Sequence, residues 1–375
     1  MLEQRQPIPQ VLIGFDGFID TIKHPVRKKY SPQKWDRIET LEEFAKSIQL
    51  ASGKSANIEC IEVSSLLGGN APLCAQAMAH LGVDITLIAS LFTSAGDRRI
   101  DPAFSPLVML PNVHPIPIHS AGRTDALEFY DGKILLGNMK ELDSLALSDL
   151  FKTLSEHKLS SIIHKVDALA ILNWTMMPLV DSFLEWLLST KMLSSLSEKK
   201  KKTILFIDFA DPKKRIREDL ALVFSLLQKC AETGHFDIII SVNFSEAQQS
   251  LEALQKHDCL QADLPCLISS LHDAFPHATA IIGHSHTKIS GSWIDTKNKE
   301  VTQTYSLDVP FIEKPYATTG AGDSFNGGVL SALVYGYTYP HALLWGAATS
   351  GIWVRSRMSA PISEVEAFIH QNFFV

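Results

Sequence analysis

Short apolar runs alternate with amphipathic stretches along most of this chain, and this alternation strongly constrains its fold. The apolar runs are aliphatic or β-branched and predict strands at 11–15, 83–90, 168–172, 203–207, 236–242 and 278–282. The stretches between them predict helices at 71–81, 179–189, 213–229 and 245–256. Strands that are apolar on both faces and alternate with helices are typical of a parallel sheet covered on both sides. We therefore expect an α/β fold with a central, mainly parallel sheet flanked by helices.

Two regions depart from this alternation. Residues 21–65 contain a charged patch and an isolated strand-like run, and residues 116–137 contain Asp131-Gly132 between two apolar-rich runs. An Asp-Gly pair in that position predicts a β-hairpin. We expect these two regions to form a small β-rich lid. The rest of the chain is then the α/β core, made of residues 1–20, 66–115 and 138–375.

Composition excludes two classes of partner. The 375 residues carry 34 Lys+Arg and 41 Asp+Glu, a formal net charge of −7, whereas binding to a nucleic-acid backbone requires clustered positive charge. Residues 324–354 contain no Asp, Glu, Lys or Arg, but Gly336 and Pro340 interrupt the run. This pattern predicts two buried helices rather than a membrane span. We expect no nucleic-acid partner and no insertion into a membrane.

The cysteines and the first residues bear on location. The five cysteines are scattered and include no C-x-x-C pair, which argues against a disulfide framework or a structural zinc site and favours a reducing compartment. The first residues are polar and lack the apolar segment of a secretory signal. We expect a cytoplasmic protein.

The sequence of one segment indicates a binding or catalytic function. Residues 318–328 read Thr-Thr-Gly-Ala-Gly-Asp-Ser-Phe-Asn-Gly-Gly, a glycine-rich turn that leads into an apolar helix with Asp323 in its first turn. Backbone amides at such a helix start suit a phosphate group. A carboxylate beside a bound phosphate makes sense if it accepts a proton from an attacking hydroxyl. The alternative is that Asp323 only caps the helix and the glycines only turn the chain.

Residues 318–328 resemble the C-terminal signature of the ribokinase-like (PfkB) carbohydrate kinases. Three more segments agree in order and spacing: Gly68-Gly69-Asn70 before a helix resembles the family's Gly-Gly signature, 209–215 its Asp-Pro-x-x-Arg segment, and 241–246 its Asn-x-x-Glu motif. The resemblance extends from about Val11 to the C-terminus, and Gly-Ala-Gly-Asp is its most specific part. It implies a ribokinase-like fold.

The resemblance also implies a reaction. It is the ATP-dependent transfer of the γ-phosphoryl group to a CH₂OH group of a sugar or sugar-like molecule, with Mg²⁺ as the cofactor of ATP. Asp323 is then the general base, and the amides of Gly320, Ala321, Gly322 and Asp323 itself form the anion hole.

The same resemblance implies a nucleotide side of the site. Asn243 and Glu246 would hold Mg²⁺ and phosphate, with Glu246 contacting the metal through water, and Ser285 and Thr319 would contact the nucleotide. From the residues alone, a helix start capped by Asn243 or Ser245, with Glu246 beside the positive end of the helix dipole, explains the Asn-x-x-Glu pair equally well.

The substrate side follows the first predicted strand. Gly68, Gly69 and Asn70 are expected there, together with an acid that accepts hydrogen bonds from substrate hydroxyls. Asp16 and Asp20 are the two candidates, and Asp20 fits better because it follows an apolar pair. Two surface acids in a turn are the simpler alternative.

Three positions depart from the family pattern. Ala317 stands where relatives have an Asp that helps to bind an activating monovalent cation, which argues against potassium activation. Leu73 replaces an Asn that contacts sugar hydroxyls, and Gly283 replaces the Thr of a Thr-x-Gly turn on the nucleotide side.

Several alternatives stay open at this stage. A sugar kinase is the first hypothesis, a nucleoside kinase of the same family the second, and a non-catalytic ligand-binding relative the third. Exposed edges of a small lid sheet favour pairing with a second copy, so a homodimer through the lid is an expectation. No motif encodes which sugar is bound or whether ATP or ADP is the donor.

Overall fold

A computed structural model describes residues 7–94, 96–295 and 302–373. The predicted core therefore includes positions outside the described residues, namely 1–6, 95, 296–301 and 374–375.

The described strands belong to two sheets. They are β1 (Gln10–Phe15), β2 (Phe18–Ser31), β3 (Lys34–Arg37), β4 (Cys60–Gly68), β5 (Asp84–Ser94), β6 (Asp97–Ile100), β7 (Val113–Ser120), β8 (Gly122–Phe129), β9 (Gly132–Asn138), β10 (Ala168–Ile171), β11 (Thr203–Asp208), β12 (Phe236–Asn243), β13 (Ala280–His284), β14 (Lys288–Ile294) and β15 (Thr302–Asp308).

The helices lie between and after these strands. They are α1 (Leu41–Leu50), α2 (Asn70–His80), α3 (Ser105–Val108), α4 (Lys140–Asp143), α5 (Leu147–Thr153), α6 (Glu156–Lys165), α7 (Leu179–Leu187), α8 (Thr190–Leu196), α9 (Arg217–Glu232), α10 (Phe244–Ala253), α11 (Leu264–Ala274), α12 (Ala321–Val334), α13 (Tyr339–Ser356) and α14 (Ile362–Phe373). Among the described residues, no helix has both the length and the apolar character needed to cross a membrane.

The large sheet has the predicted mainly parallel character. Its strand order is 15-14-13-12-11-10-1-5-6, and β7 pairs with β5. Strands β13 to β10, β1, β5 and β7 are parallel, while β14, β15 and β6 are antiparallel additions. Alternate residues of β1 enter different clusters, with Leu12 in one core and Val11 and Ile13 in the other. Both faces of the sheet are therefore buried, as the α/β prediction requires.

The small sheet contains β3, β2, β8 and β9 in that order, with β4 pairing with β2. The hairpin between β8 and β9 forms where Asp131-Gly132 predicts it, although the two-residue loop is Tyr130-Asp131, because Gly132 already pairs with Phe129. This sheet starts with the Phe18–Ser31 strand, directly after the end of β1.

Several predicted boundaries between the core and the lid are wrong. Residues 18–20 and 66–68 were expected in the core, but they belong to β2 and β4 of the small sheet. Residues 116–120 were expected in the lid, but they belong to β7, which pairs in parallel with β5 in the large sheet. Pro115 and Pro117 lie within this strand. Proline removes a hydrogen-bond donor and is tolerated mainly in edge strands. The two prolines interrupt the apolar pattern of β7, and this makes the strand hard to identify from sequence.

Close helix packing fixes the position of α12. A Cβ atom on Gly327 would lie 2.7 Å from Cβ of Ala77 in α2, and one on Gly328 would lie 2.7 Å from the Trp345 carbonyl oxygen in α13. Both glycines are therefore needed for α12 to pack between α2 and α13. The uncharged run 324–354 forms most of α12 and α13, the two helices predicted from sequence. The amino end of α12 lies at the edge of the sheet described next.

Candidate active site

Polar side chains collect at one edge of the large sheet. Asp16 follows β1 directly, Asp208 ends β11, Asn243 ends β12, and His284 ends β13. All four strands are parallel, so their carboxyl ends lie at the same edge. In open α/β sheets, ligands bind in the crevice outside this edge.

The glycine-rich turn places backbone amide groups without hydrogen-bond partners at this edge. Gly320 precedes α12 with a positive φ of 86°. The Ala321 amide donates to the Thr318 carbonyl at 3.3 Å, whereas the amides of Gly320, Gly322 and Asp323 have no hydrogen-bond partner among the described residues. Unpaired amides at the amino end of a helix attract an anion. Of the four amides expected in the anion hole, that of Ala321 is partly satisfied by the protein itself.

Trp353 holds this turn in place. Its indole Nε1 donates to the Thr319 carbonyl at 2.8 Å. A Cβ atom on Gly320 would lie 2.9 Å from the Trp353 ring. Glycine at 320 is thus required both by the left-handed backbone conformation and by the close ring.

Asp323 lies in the first turn of α12 and is buried. Its Oδ1 atom has no hydrogen-bond partner among the described residues. Burial raises its pKa well above the ordinary value, and the neighbouring carboxylates of Asp208, Asp16 and Glu246 raise it further. The raised pKa makes the ionised Asp323 carboxylate more basic than an exposed one, and its Oδ1 is free among the described residues.

Asp16 caps helix α2. Its Oδ2 accepts from the Asn70 amide at 2.9 Å and its Oδ1 from the Ala71 amide at 2.8 Å. The Asn173 side chain donates to Oδ2 at 2.9 Å. Gly69 enters the helix with φ of 97°, where a Cβ atom would lie 3.0 Å from the backbone of the β1–β2 connection. These bonds occupy both oxygens of the fully buried Asp16, so the geometry favours a capping role over the substrate contact expected from sequence.

Asp20 lies where β2 joins the small sheet, and it is half-buried. Burial raises its pKa, while a hydrogen bond from Thr124 and the positive charges of Lys133 and Arg357 oppose the rise. A Cβ atom on Gly68 would lie 2.7 Å from the Asp20 carboxylate. Gly68 therefore makes room for this carboxylate, which is the better placed of the two acids to accept hydrogen bonds from a substrate.

Lys133 joins the small sheet to the glycine-rich turn, and sequence analysis missed it. Its ammonium group, at the start of β9, donates to the Thr319 hydroxyl. Partial burial of this group lowers its pKa, as does Arg357, while Glu128 and Asp20 oppose the shift. The one available signal was its place directly after the Asp-Gly pair.

Asn243 and Glu246 form a reciprocal capping box at the start of α10. The Asn243 side chain accepts from the Glu246 amide at 3.0 Å, and Glu246 Oε2 accepts from the Asn243 amide at 2.8 Å. Glu246 Oε1 also accepts from the Asp211 amide at 2.9 Å. The helix-start alternative weighed from sequence thus describes their contacts, and Glu246 is buried at the crevice with a pKa raised by burial.

Asp208 is a further buried acid that sequence analysis missed. Its Oδ1 accepts from the Ala210 amide at 2.9 Å, and the Asn326 side-chain amide donates to its Oδ2. Ser241 donates in turn to Asn326 Oδ1 at 2.6 Å. Burial raises the pKa of Asp208 to about 8, and the nearby Glu246 carboxylate adds to the rise. Its sequence signal was an acid that ends an otherwise apolar strand.

The buried carboxylates at this edge suit a metal ion that binds together with a phosphate ligand. Among the described residues, no group of three or more His, Cys, Asp or Glu side chains is arranged to hold a metal ion. Mg²⁺ often binds through one or two carboxylates, water and substrate phosphates rather than an all-protein cage. Buried Glu246 and Asp208 fit that kind of site.

A cavity of about 500 Å³ opens beside the glycine-rich turn. Its walls are mainly apolar and include Val309, Phe311 and Phe368, with Asn243 and Gly322 at one end. The size and lining are those of a small-molecule or cofactor pocket.

Two residues that line the cavity, Ser285 and His284, make contacts within the protein itself. The Ser285 hydroxyl accepts from the Lys288 amide at 3.0 Å and donates to its carbonyl at 3.1 Å, so it stabilises the β13–β14 turn. His284 packs against Phe325 with ring centroids 4.7 Å apart. Burial lowers the pKa of His284 to about 4, so its imidazole is neutral.

The three departures from the family pattern are also located. Leu73 is buried in α2 and belongs to the core. A Cβ atom on Gly283 would lie 2.5 Å from Ile268, which explains glycine there. The backbone amides of Ala317 and of the preceding Tyr316 both donate to the Val354 carbonyl.

The raised pKa of Asp208 predicts a pH effect on stability. Between about pH 4, the ordinary value, and about 8, its folded-state value, the folded protein binds more protons than the unfolded chain. Stability therefore falls as the pH rises through this window. We expect Asp208→Asn, which keeps the side-chain shape, to show a smaller drop in Tm from pH 5 to pH 8 than the wild type.

Asp258→Asn is the matched control, since Asp258 is exposed, and it should keep the wild-type drop. Equal drops in the wild type and in Asp208→Asn would contradict the raised pKa.

Comparisons with known proteins agree with this architecture. The family profile described as prokaryotic ketohexokinase matches residues 2–372. A ketohexokinase of Haloferax volcanii is 25% identical over 372 residues, which cover 98% of this chain and 92% of the relative. A carbohydrate kinase from Agrobacterium tumefaciens has a TM-score of 0.62 at 18% identity, covering 96% of this chain and 97% of its own. Ribokinase from Thermotoga maritima has a TM-score of 0.61 at 15% identity, covering 96% and 99%.

The two solved structures confirm the predicted ribokinase-like fold. The resemblance to carbohydrate kinases, carried most specifically by Gly-Ala-Gly-Asp at 320–323, is confirmed by a family match that spans almost the whole chain. The chain therefore belongs to the prokaryotic ketohexokinase family of carbohydrate kinases, which are phosphotransferases that act on an alcohol group.

Proposed function

We propose that this protein transfers the γ-phosphoryl group of ATP to a primary hydroxyl of a ketohexose, with Asp323 as the general base. One observation carries the proposal: the unpartnered Oδ1 of buried Asp323 lies at the helix start that also presents the free amides of Gly320 and Gly322. A base and an anion site thus occur together. Their combination suits an alcohol that attacks a phosphoryl group.

The proposed reaction exchanges one phosphorus–oxygen bond for another. The substrate hydroxyl gives its proton to Asp323 Oδ1, and its oxygen forms a bond to the γ-phosphorus. The bond from that phosphorus to the β–γ bridging oxygen breaks, which leaves ADP. The raised pKa of Asp323 strengthens it as a base, and the amides of the turn stabilise the negative charge of the transferring group.

ATP is the proposed donor because the cavity suits a nucleotide. Apolar walls that include Val309 and Phe311 would hold the base, and the end near Asn243 and Gly322 would hold the phosphates. Mg²⁺ would bind between these phosphates and Glu246 through water, with Asp208 close by, and it supplies charge neutralisation. Thr319 would contact the phosphate edge.

The small sheet is proposed to be the lid over the sugar. Asp20, with Gly68 and Asn70 beside it, would face the sugar from the base of this sheet. Lys133 already reaches the Thr319 hydroxyl from β9, so its ammonium would contact the transferring phosphoryl group. The ketohexose itself is inferred from the family and from the Haloferax volcanii relative.

Replacing Asp323 tests the proposed base. We expect Asp323→Asn to lower kcat by about 10²- to 10⁴-fold, because the hydroxyl loses its proton acceptor. Calorimetry should show that nucleotide binding is largely kept. The exposed Asp258→Asn variant should keep wild-type turnover, and a similar kcat in Asp323→Asn would contradict the assignment.

A substrate panel separates the alternatives. We expect phosphoryl transfer from Mg-ATP to a ketohexose in preference to aldoses, pentoses, sugar phosphates and nucleosides. Preference for nucleosides would favour a nucleoside kinase, and turnover with Mg-ADP would change the donor. Sugar binding without any transfer would favour a non-catalytic ligand-binding protein.

Ala317 bears on the role of potassium. A methyl group at this position offers no oxygen to a cation, so we propose that the enzyme has no activating monovalent-cation site. Replacing potassium by sodium at constant ionic strength should then leave the initial rate unchanged. Several-fold activation by potassium would contradict this proposal.

A homodimer through the small sheet is also proposed. Leu135 and Leu136 of β9 are 49% and 55% exposed, and Val63 of the opposite edge strand β4 is 53% exposed. Pairing would cover these apolar side chains and the strand edges. Light scattering should give twice the monomer mass, and the double change Leu135→Glu with Leu136→Glu should halve it.

Met109→Glu is the control, because Met109 is 79% exposed but lies outside the small sheet. A monomeric wild type would contradict the dimer. A cytoplasmic location completes the proposal, since all five cysteines are free thiols.

A further inference from the structure

The imidazole of His284 lines the cavity without a hydrogen-bond partner for either ring nitrogen in the part of the chain that the structure describes. The buried ring of His272 shows the usual alternative. Its Nε2 donates to the Ala278 carbonyl at 3.0 Å, and its Nδ1 accepts from the Ser292 hydroxyl at 2.8 Å. Polar groups inside a protein are nearly always paired, so the free nitrogens of His284 suggest a partner that enters the cavity.

The edge of the His284 ring faces the glycine-rich turn. A Cβ atom on Gly322 would lie 3.3 Å from His284 Cε1 and 3.6 Å from Nε2. On its other side the ring packs against Phe325, with centroids 4.7 Å apart. The contact with Phe325 fixes the orientation of the ring, and the absence of a side chain at Gly322 leaves Nε2 close to the start of α12.

The groups at this point suit an anion. The Gly322 amide has no hydrogen-bond partner among the described residues. Burial lowers the pKa of His284 to about 4, so its imidazole is neutral and carries one N–H donor. With the proton on Nε2, two donors meet beside the turn. Phosphate oxygens accept hydrogen bonds from such donors strongly, because they are charged.

The position of His284 distinguishes between the phosphates of a nucleotide. Among the described residues, the lining of the cavity includes His284 and Gly322 but not Asp323. Asp323, as the proposed base, marks the side from which the sugar hydroxyl attacks. The attacking and leaving oxygens lie roughly in line on opposite sides of the transferred phosphorus. His284 is therefore on the leaving side, where the β-phosphate lies.

We infer that His284 is a binding residue for the β-phosphate of the nucleotide: its imidazole, held against Phe325, donates from Nε2 to a phosphate oxygen beside the Gly322 amide. This inference rests on the proposed function, because it takes the cavity as the nucleotide site. The bond strengthens as the β-phosphate gains negative charge during transfer. The competing role is an aromatic ring that only fills space against Phe325.

Two substitutions of similar size separate these roles. His284→Leu and His284→Gln both remove the ring, but only glutamine keeps an N–H donor. In calorimetry at constant Mg²⁺, His284→Leu should lower the affinity for ADP about 10- to 100-fold and that for AMP less than about two-fold, because only ADP has a β-phosphate to lose the bond. His284→Gln should bind ADP more tightly than His284→Leu does.

His286→Leu is the matched control. His286 lines the same cavity, but its ring lies beside Phe311, with centroids 5.9 Å apart. This variant should keep the wild-type ratio of ADP affinity to AMP affinity. Thermal melts should show that all three variants fold.

Phosphorus NMR provides a readout that does not depend on turnover. In the complex with ADP, the β-phosphate resonance of His284→Leu should differ from that of the wild type, while the α-phosphate resonance should stay in place. Unchanged resonances, unchanged ADP affinity, or equal losses of affinity for AMP and ADP would overturn the inference and leave the proposed function standing.

Two further outcomes keep the inference separate from the proposed function. A wild type that binds neither ADP nor ATP would overturn both. The expected loss of ADP affinity in His284→Leu, in a protein that phosphorylates no sugar, would support the phosphate contact and refute the proposed transfer.

Discussion

The bonds from the Asn70 and Ala71 amides to buried Asp16 are the interaction on which the site depends. They tie the start of α2 to the end of β1, and α12 packs against α2 through Gly327. The turn that begins α12 is therefore placed by β1 through α2. This arrangement sets the positions of Asp323 and of the free amides that precede it. The Asp16 carboxylate contributes because it caps helix α2 and fixes where that helix starts.

The electrostatics of the crevice support the proposed binding of a phosphate together with a cation. Asp16, Asp208, Glu246 and Asp323 are all buried around the crevice, and each has a raised pKa. Backbone amides at the starts of α2 and α10 and at Asp211 offset part of this charge. A nucleotide with Mg²⁺ would bring the missing positive charge, while the amides before α12 would receive phosphate. The proposed binding of one nucleotide through local groups is therefore compatible with a net charge of −7.

Local sequence patterns predicted the elements but not the long-range contacts. The alternation of strands and helices predicted the parallel sheet, and Gly-Ala-Gly-Asp predicted a glycine-rich turn with Asp323 in the first turn of the following helix, because each depends on neighbours in the chain. The capping role of Asp16 depends on a helix that starts 54 residues later. Lys133 meets Thr319 across a separation of 186 residues. Such contacts arise from topology, and a single sequence carries no periodic signal for them.

The central claim is that Oδ1 of Asp323 accepts the proton of a primary sugar hydroxyl beside the amides of Gly320 and Gly322. A crystal structure with a ketohexose and a non-hydrolysable ATP analogue tests it most directly. The account predicts the CH₂OH oxygen at about 2.6–3.2 Å from Oδ1, on the side facing the γ-phosphate. A sugar whose primary hydroxyl points away from Asp323, or a γ-phosphate remote from the glycine-rich turn, would contradict it.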